Sequence, residues 1–334
     1  MSILKLTSRT QLANYLRCQP KYLKSFFNNE IFLYDNRLTT IVPKRLCNLT
    51  VIRKFYIPKK TNRKEYRVIF SAFSDNYRNA LKILNGHLTD LYTPPSCVHG
   101  FVRGKNIRTN AMVHLAKRFI LSIDIHHFFE TITSEMVEKA LASLGYPKYA
   151  CSYLSKFVTY NGFLVQGLST SPLIANLVAQ KLDQDMLNFA GANISYTRYA
   201  DDLYFSSNDP LPPVQDFEAI VNDNGFKLNE NKTKLMLRGN KQYVTGLTVF
   251  DKNLPRIPRK LKRNLRLEIY FMKKFGTEYH LAKKRGAAIP TDAFGILKMH
   301  AEAGHYERKL HGLLHFISSV EKGAAQKLFR QLKS

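Results

Sequence analysis

Two aspartates stand side by side at the tip of an otherwise aromatic and apolar stretch, Tyr196-Thr197-Arg198-Tyr199-Ala200-Asp201-Asp202-Leu203-Tyr204-Phe205-Ser206-Ser207. Tyr, Phe and Leu suit a pleated, half-buried surface, so the stretch reads as two strands turning at Ala200-Asp201-Asp202. Any fold that accepts it must bury the flanks and still answer two adjacent negative charges. Neighbouring carboxylates repel, and the most direct compensation is a divalent cation held between them and a further acid. Taken alone, the dipeptide is more simply an Asx turn at a solvated hairpin tip, because Asp is a common turn former.

A further acid is available. Phe119-Ile120-Leu121-Ser122-Ile123-Asp124-Ile125-His126-His127-Phe128-Phe129 is an apolar strand that ends at Asp124, and a carboxylate there is costly unless it is paired or binds metal. Asp124 is therefore the natural partner of Asp201 and Asp202. The His126-His127 pair invites a zinc site, but neighbours on a strand point to opposite faces, and no Cys or further His lies at ligand spacing nearby.

Charge narrows the partner. A formal net charge of +26 and a pI of about 9.9 exceed what solubility needs and attract polyanions, nucleic acid before others. The competing partner, an anionic membrane, lacks support: no apolar run is long enough to span a bilayer, and no basic amphipathic segment stands apart. Met1 to Arg9 has no apolar core of the kind that directs export, and Cys18, Cys47, Cys97 and Cys151 lack metal-ligand spacing. Both point to a reducing cytoplasm, and the cysteines receive no function.

In chain order, Thr7-Ser8-Arg9-Thr10 caps a helix carrying Leu12, Tyr15 and Leu16, and Pro20 opens a second with Tyr22, Leu23, Phe26 and Phe27. Lys54 to Lys60 and Glu65 to Phe70 form a hairpin around Thr61-Asn62-Arg63-Lys64. Its one-sided charge suits phosphates, with Arg67 offering a fork for a triphosphate. Asn76 to Leu91 is a helix through Leu81, Leu84 and Leu88. The glycine-punctuated run His99-Gly100-Phe101 to Asn110-Ala111-Met112-Val113-His114 enters another, where Asn110 and His114 share a face and can simply satisfy each other. Gln166-Gly167-Leu168-Ser169-Thr170-Ser171-Pro172 feeds an apolar helix whose free N–H groups suit an anion, though a capped helix without ligand is the plainer reading. From Arg256 to Ser334 there are 18 Lys or Arg against 6 Asp or Glu, with Leu261, Leu265 and Ile269, then Leu310, Leu313, Leu314 and Ile317, at helical intervals.

The ordered set resembles the palm of reverse transcriptases: the basic hairpin with Arg67, Asp124 with Phe128-Phe129 behind it, Gln166-Gly167 with Ser171-Pro172, Tyr199-Ala200-Asp201-Asp202, and Gly225-Phe226-Lys227-Leu228-Asn229 with Asn231-Lys232-Thr233. The likeness runs from about Phe55 to Leu247. Asn110-Ala111-x-x-His114 after His99-Gly100-Phe101, and Val244-Thr245-Gly246, resemble two signatures of the retron type of bacteria. One departure is plain: where the family has Pro before Gln-Gly and Ala-Pro after it, this chain has Val165 and Leu168-Ser169.

The resemblance implies an α+β right-hand polymerase with fingers, a ferredoxin-like antiparallel palm and a helical thumb. It divides the chain into a helical N-terminal region (1–50), fingers with the retron-type insertion (51–118), palm (119–250) and basic thumb (251–334). By the same resemblance Asp124, Asp201 and Asp202, with the Ile125 carbonyl, hold two Mg²⁺ ions, and Lys232 gives a proton to the leaving pyrophosphate. Lys60 or Lys64, Arg67 and Gln166 meet the nucleotide, and Phe129 lies under its sugar; Asn110, His114, Val244, Thr245 and Gly246 serve the cognate RNA. The implied activity is RNA-directed DNA synthesis on a structured noncoding RNA. It is primed from a 2′-hydroxyl and gives branched multicopy DNA, with dNTPs as substrates and an effector protein as partner in defence against phage. With no room beyond the thumb for a ribonuclease H-like domain, template removal is expected to fall to a separate enzyme. An intron-like reverse transcriptase and a non-catalytic RNA-binding scaffold that sequesters an effector are the alternatives.

Overall fold

The computed structural model describes residues 6–28, 32–35, 51–59 and 64–333. Two compact units emerge, Met1–Asn106 with Leu121–Leu235, and Ile107–Ile120 with Met236–Ser334. This partition cuts the chain differently from the four segments read in the sequence, because 107–120 and 236–250 bond to each other. Arg238 N–H donates to the Arg118 carbonyl at 2.8 Å and Ala116 N–H to that of Val249 at 2.8 Å.

In the first unit, helix α1 (Arg9–Tyr15) starts at Ser8, whose hydroxyl accepts from Gln11 N–H at 3.2 Å. Helix α2 (Pro20–Phe27) starts on Pro20, whose missing N–H is harmless in a first turn. Leu12, Leu16, Leu23 and Phe26 are buried, as their spacing predicts. Strands β2 (Val51–Pro58) and β3 (Tyr66–Ala72) form the expected antiparallel hairpin with Ile57 opposite Arg67. Its other edge carries β1 (Phe32–Asp35), parallel to β2 and not foreseen from the sequence. Lys60 and Arg63 lie outside the described residues. Helix α3 (Asp75–Leu91) is capped by Ser74 and buries Leu81, Leu84 and Leu88.

Past α4 (Ile107–Met112), which belongs to the second unit, the chain runs through β4 (Phe119–Asp124), the short α5 (Phe128–Thr131), α6 (Ser134–Ser143) and α7 (Lys148–Val158). A two-residue pair, β5 (Thr159–Tyr160) and β6 (Phe163–Leu164), leads to α8 (Ser171–Val178) and α9 (Gln180–Ala190). Strands β7 (Ser195–Tyr199) and β8 (Asp202–Ser207), helix α10 (Val214–Asp223) and β9 (Lys234–Leu237) follow. The sheet order is β7-β8-β4-β9, which sets the strand ending at Asp124 beside the one beginning at Asp202. Beneath it the Phe205 ring packs on Tyr196 at 4.8 Å and on Phe217 of α10 at 4.5 Å, all three side chains buried. Aromatic contacts of this kind anchor a sheet firmly, at about 0.5–1.5 kcal/mol each beyond the area buried.

The second unit holds α4, the two-residue strands β10 (Tyr243–Val244) and β11 (Leu247–Thr248), and helices α11 (Arg259–Phe275), α12 (Thr277–Arg285), α13 (Ala293–Val320) and α14 (Lys322–Lys333). Leu265 and Ile269 of α11, and Leu310, Leu314 and Ile317 of α13, are buried at the helical intervals read in the sequence. Glu268 gathers His280 at 2.6 Å, Lys284 at 2.5 Å and the Tyr306 hydroxyl. Although burial opposes its charge, these donors hold its carboxyl down at about 2. No helix among the described residues is long and apolar enough to cross a membrane.

Candidate active site

Strands β7 and β8 are joined by a two-residue turn, Ala200-Asp201, with Tyr199 opposite Asp202 in register. Ala200 sits at φ 59°, in the left-handed region that L residues enter at a cost of roughly 1–2 kcal/mol. Asp201 therefore stands on the turn and Asp202 on the first residue of the next strand, next to each other on a tight bend. Ile125 N–H donates to the Asp201 carbonyl at 2.9 Å, which brings the end of β4 and its Asp124 to the same place.

The three carboxylates feel one another. Burial, then Asp201 and Asp124, pushes the Asp202 carboxyl up to about 7. Burial also raises Asp201, with Asp124 adding to the shift, while a backbone hydrogen bond, Lys232 and Arg67 oppose it. Asp124 is 6% exposed and engaged: Lys232 Nζ donates to its two oxygens at 2.8 and 3.1 Å, and Asn229 Nδ2 to Oδ1 at 3.0 Å. The Asn229 N–H also bonds the Asp124 carbonyl at 2.8 Å, so the Gly225–Asn229 motif clamps the end of β4. Burial works against the Lys232 charge, yet its bonds to Asp124 hold the ammonium above its ordinary range.

Among the described residues no three His, Cys, Asp or Glu side chains converge as a ready-made metal site. Asp124 is instead turned to the Lys232 ammonium, which stands where a cation is wanted. Two half-buried carboxyls pushed upward beside a third, and a lysine drawn across to one of them, mark a place with more negative charge than its surroundings neutralise. That donor set suits a hard divalent cation, which binds oxygen and favours the ionised acids.

Around this centre the other candidates are distributed unevenly. Arg67 is exposed on β3, and its charge reaches Asp201. Lys64 is exposed at the described end of the hairpin, and neighbouring Lys59 is tied to Glu65 at 2.9 Å. Strand β4 stops at Asp124, as read in the sequence, and no strand pleat runs on from His126 to Phe129. His127 takes φ 48° and α5 begins at Phe128. Phe128 and Phe129 differ in burial because a helix turns them. Phe128 is 3% exposed against Phe226 at 5.6 Å, while Phe129 is half-buried with its ring 6.2 Å from Phe101. The argument that His126 and His127 face opposite ways fails for the same reason; their rings lie 4.0 Å apart and both residues are exposed.

Gln166 Nε2 donates to Glu130 of α5 at 3.3 Å, and the Gln166 carbonyl accepts from Phe70 N–H at 2.7 Å. Of the departures from the family pattern, Val165 and Leu168 are core residues, 5% and 2% exposed, while Ser169 is exposed. In the second unit Val244-Thr245-Gly246 is a hairpin turn with φ 45° at Thr245 and 80° at Gly246, and the Thr245 hydroxyl bonds the Ile107 carbonyl at 3.0 Å. Asn110 and His114 are fully buried, so neither side chain is presented to a partner as the sequence led one to expect of recognition residues. Asn229 was quoted only as part of a motif. Its role as a clamp on Asp124 spans 105 residues of sequence, a contact no local signal reveals.

Comparison with known proteins agrees with this geometry. The family model described as reverse transcriptase (RNA-dependent DNA polymerase) matches residues 57–275. The chain is 32% identical over 222 residues to the retron Ec86 reverse transcriptase of Escherichia coli, covering 65% of this chain and 69% of that one. It is 36% identical over 173 residues to the retron Mx65 enzyme of Myxococcus xanthus, covering 45% and 40%, and 29% identical over 307 residues to the retron Mx162 enzyme of the same species, covering 81% and 60%. With the acidic turn, the β4 carboxylate and the Gln-Gly loop all inside the matched residues, the chain belongs to the reverse transcriptases, RNA-directed DNA polymerases of right-hand fold, and within them to the bacterial retron type.

Proposed function

We propose that this polymerase copies one cognate structured noncoding RNA into multicopy single-stranded DNA, starting from a 2′-hydroxyl of that RNA, so that the product is a branched RNA–DNA. It then works in the cytoplasm with an effector protein against phage. The observation that carries the retron reading is the meeting of two motif segments 138 residues apart. Helix α4 with Asn110, followed by His114, and the Val244-Thr245-Gly246 hairpin are tied by the Thr245–Ile107 bond. Together the two segments give the second unit a built feature beyond chemistry. Sequencing the nucleic acid that co-purifies with the protein, before and after debranching, tests the proposal. A linear, unbranched product overturns it and favours an intron-like enzyme.

Reverse transcriptases use divalent metal ions. Here Asp124, Asp201 and Asp202, with the Ile125 carbonyl, are suited to hold two Mg²⁺, which when bound supply Lewis acidity to the primer hydroxyl and to the departing pyrophosphate. Lys232, which bonds both Asp124 oxygens, would give them up to a cation held there. A lysine ammonium keeps its proton on Nζ at neutral pH, ready for the pyrophosphate oxygen. Arg67 and Lys64, with Lys60, attract the triphosphate, and Gln166 supports the helix that carries Phe129. Intact carboxylates argue against a pure scaffold, which has no use for acids that cost folding energy.

Because Asn110 and His114 are buried, their part in RNA recognition is to hold the shape of the surface above them. Asn110→Ala and a Val244-Thr245-Gly246 replacement should spare extension of a generic primed RNA and reduce synthesis on the native RNA by at least about tenfold, equivalent to roughly 1.4 kcal/mol. Equal loss on both templates would return these residues to a packing role.

Phe129 is proposed as the sugar gate. A half-buried ring on α5 excludes a 2′-hydroxyl by volume, so Phe129→Ala should lower the ratio of dNTP to rNTP incorporation efficiency. Phe128→Ala should leave that ratio alone and destabilise the fold by about 3–5 kcal/mol. An unchanged ratio in Phe129→Ala places the gate elsewhere.

A further inference from the structure

Beneath the acidic turn lies a fully buried polar brace that takes no part in the chemistry described above. The Arg198 guanidinium, 0% exposed, pairs with Asp183 of α9 through Nε and Nη2, each at 2.7 Å. Its Nη1 donates to Oδ1 of Asn176 on α8 at 3.0 Å and to the Ala200 carbonyl at 3.2 Å. Asn176 completes the link on its other side, where Nδ2 donates to the Gly100 carbonyl at 2.9 Å. Tyr196 closes the set with a 2.8 Å bond from its hydroxyl to Asp183.

Two facts separate this brace from ordinary core packing. First, a buried ion pair is a poor way to gain stability, because an apolar replacement of similar volume is often neutral or better; what such a pair can supply is one fixed geometry. Second, the geometry fixed is that of the turn. The Ala200 carbonyl held by Arg198 belongs to the peptide that leads into Asp201, while the carbonyl after it is held by Ile125 N–H at 2.9 Å. Both peptides flanking Asp201 are therefore pinned. From behind, the Gly100 backbone presses on the turn so closely that a Cβ at residue 100 would sit 2.4 Å from Ala200 N and 3.0 Å from the Tyr199 carbonyl carbon. A left-handed alanine persists only where its surroundings overdetermine it, and here they do.

We propose that Asn176 is a positioning residue for metal binding: by tying Gly100 to Arg198 it fixes the Ala200-Asp201-Asp202 turn beside the end of β4 and its Asp124. Asn176 touches neither substrate nor metal and acts through Arg198 and Gly100. The proposal rests on Asp124, Asp201 and Asp202 being the metal ligands.

The test is Mn²⁺ binding to the full chain without nucleic acid, followed by electron paramagnetic resonance, at a temperature below each variant's own melting midpoint. Asn176→Ala should weaken Mn²⁺ binding about 10- to 100-fold, the range typical of lost support behind ligands. The kcat for primer extension should fall and be partly restored by excess metal, while the KM for dNTP and the affinity for a generic primed template stay as in the parent. Gly100→Ala removes no hydrogen bond but drives a methyl into Ala200, and should shift Mn²⁺ binding in the same direction; it decides the matter if Asn176→Ala does not fold. A lower melting temperature with Mn²⁺ affinity unchanged in the folded protein overturns the proposal, because a merely structural role predicts that result. Asp201→Asn is the control. If it too leaves Mn²⁺ binding unaltered, the ligand assignment has failed rather than the brace.

Discussion

Replacing Asp201 or Asp202 by Asn should abolish metal-dependent dNTP incorporation, by three decades or more, while RNA binding largely survives. A metal acting as Lewis acid supplies several kcal/mol to the transition state, and each ~1.4 kcal/mol is tenfold in rate. The substitution removes one charge and leaves the shape, so the loss reads ligand charge and not packing. Primer extension and filter binding on the same preparations check it; near-parental extension by Asp201→Asn would show the site to be misassigned.

The same residues should behave oppositely in stability. The Asp202 carboxyl stands at about 7 in the folded chain against an ordinary 3.8. Between those values the folded state holds a proton that the unfolded state has released, so stability is full below about 3.8 and is lost as pH rises through about 7. At pH 8 in chelator, Asp202→Asn should thus be more stable than the parent by on the order of 2–4 kcal/mol, and by less than half as much at pH 5. Added divalent metal should reverse the order, because it binds only the parent's intact site. Melting curves at two pH values, with and without metal, decide this. A parent that gains nothing from metal argues against the charge-excess account of the site.

Gly167→Ala should be the most damaging single methyl in the first unit. Gly167 lies at φ 108°, and a Cβ there would meet the Phe70 carbonyl oxygen at 2.1 Å and Ile69 Cγ2 at 2.6 Å. The Phe70 carbonyl belongs to β3 and cannot withdraw without breaking the Phe70–Gln166 bond of 2.7 Å. Backbone strain and displacement together should cost at least about 3 kcal/mol. Since Gln166 supports α5 through Glu130 and Arg67 lies on β3, the damage should reach nucleotide binding as well as folding. A raised KM for dNTP together with a lower melting temperature is the expected pattern. A variant that melts and binds like the parent would mean the loop is free to move off β3.

The carboxylates and their order were legible in the sequence because the demand they make is local. Asp201-Asp202 between aromatic runs needs a turn, and an apolar run that stops at Asp124 needs compensation. Helix starts at Ser8 and Pro20, and the buried faces of α3, α11 and α13, were legible for the same reason: caps and periodicity are read over a few residues. Strand β1 was not, since a parallel edge strand depends on where a distant segment lands. Nor was the short helix that follows β4, where the left-handed His127 turns a run of residues that favour strand and sets Phe128 and Phe129 on α5.

What only the tertiary structure decided is which polar groups meet. Asn229 and Lys232 reach Asp124 across 105 and 108 residues, and Asn176 joins Gly100 to Arg198 across 76 and 22. In the sequence Arg198 is one more basic residue in a chain of net charge +26, and Asn110 and His114 either satisfy each other on a helix face or, by resemblance, serve the cognate RNA. All three prove fully buried. Hydrophobic pattern determined the elements and the chemistry of their ends, because burial acts on each segment separately. The partner of a buried charge is fixed by packing between segments, and that is written in no single stretch of the chain.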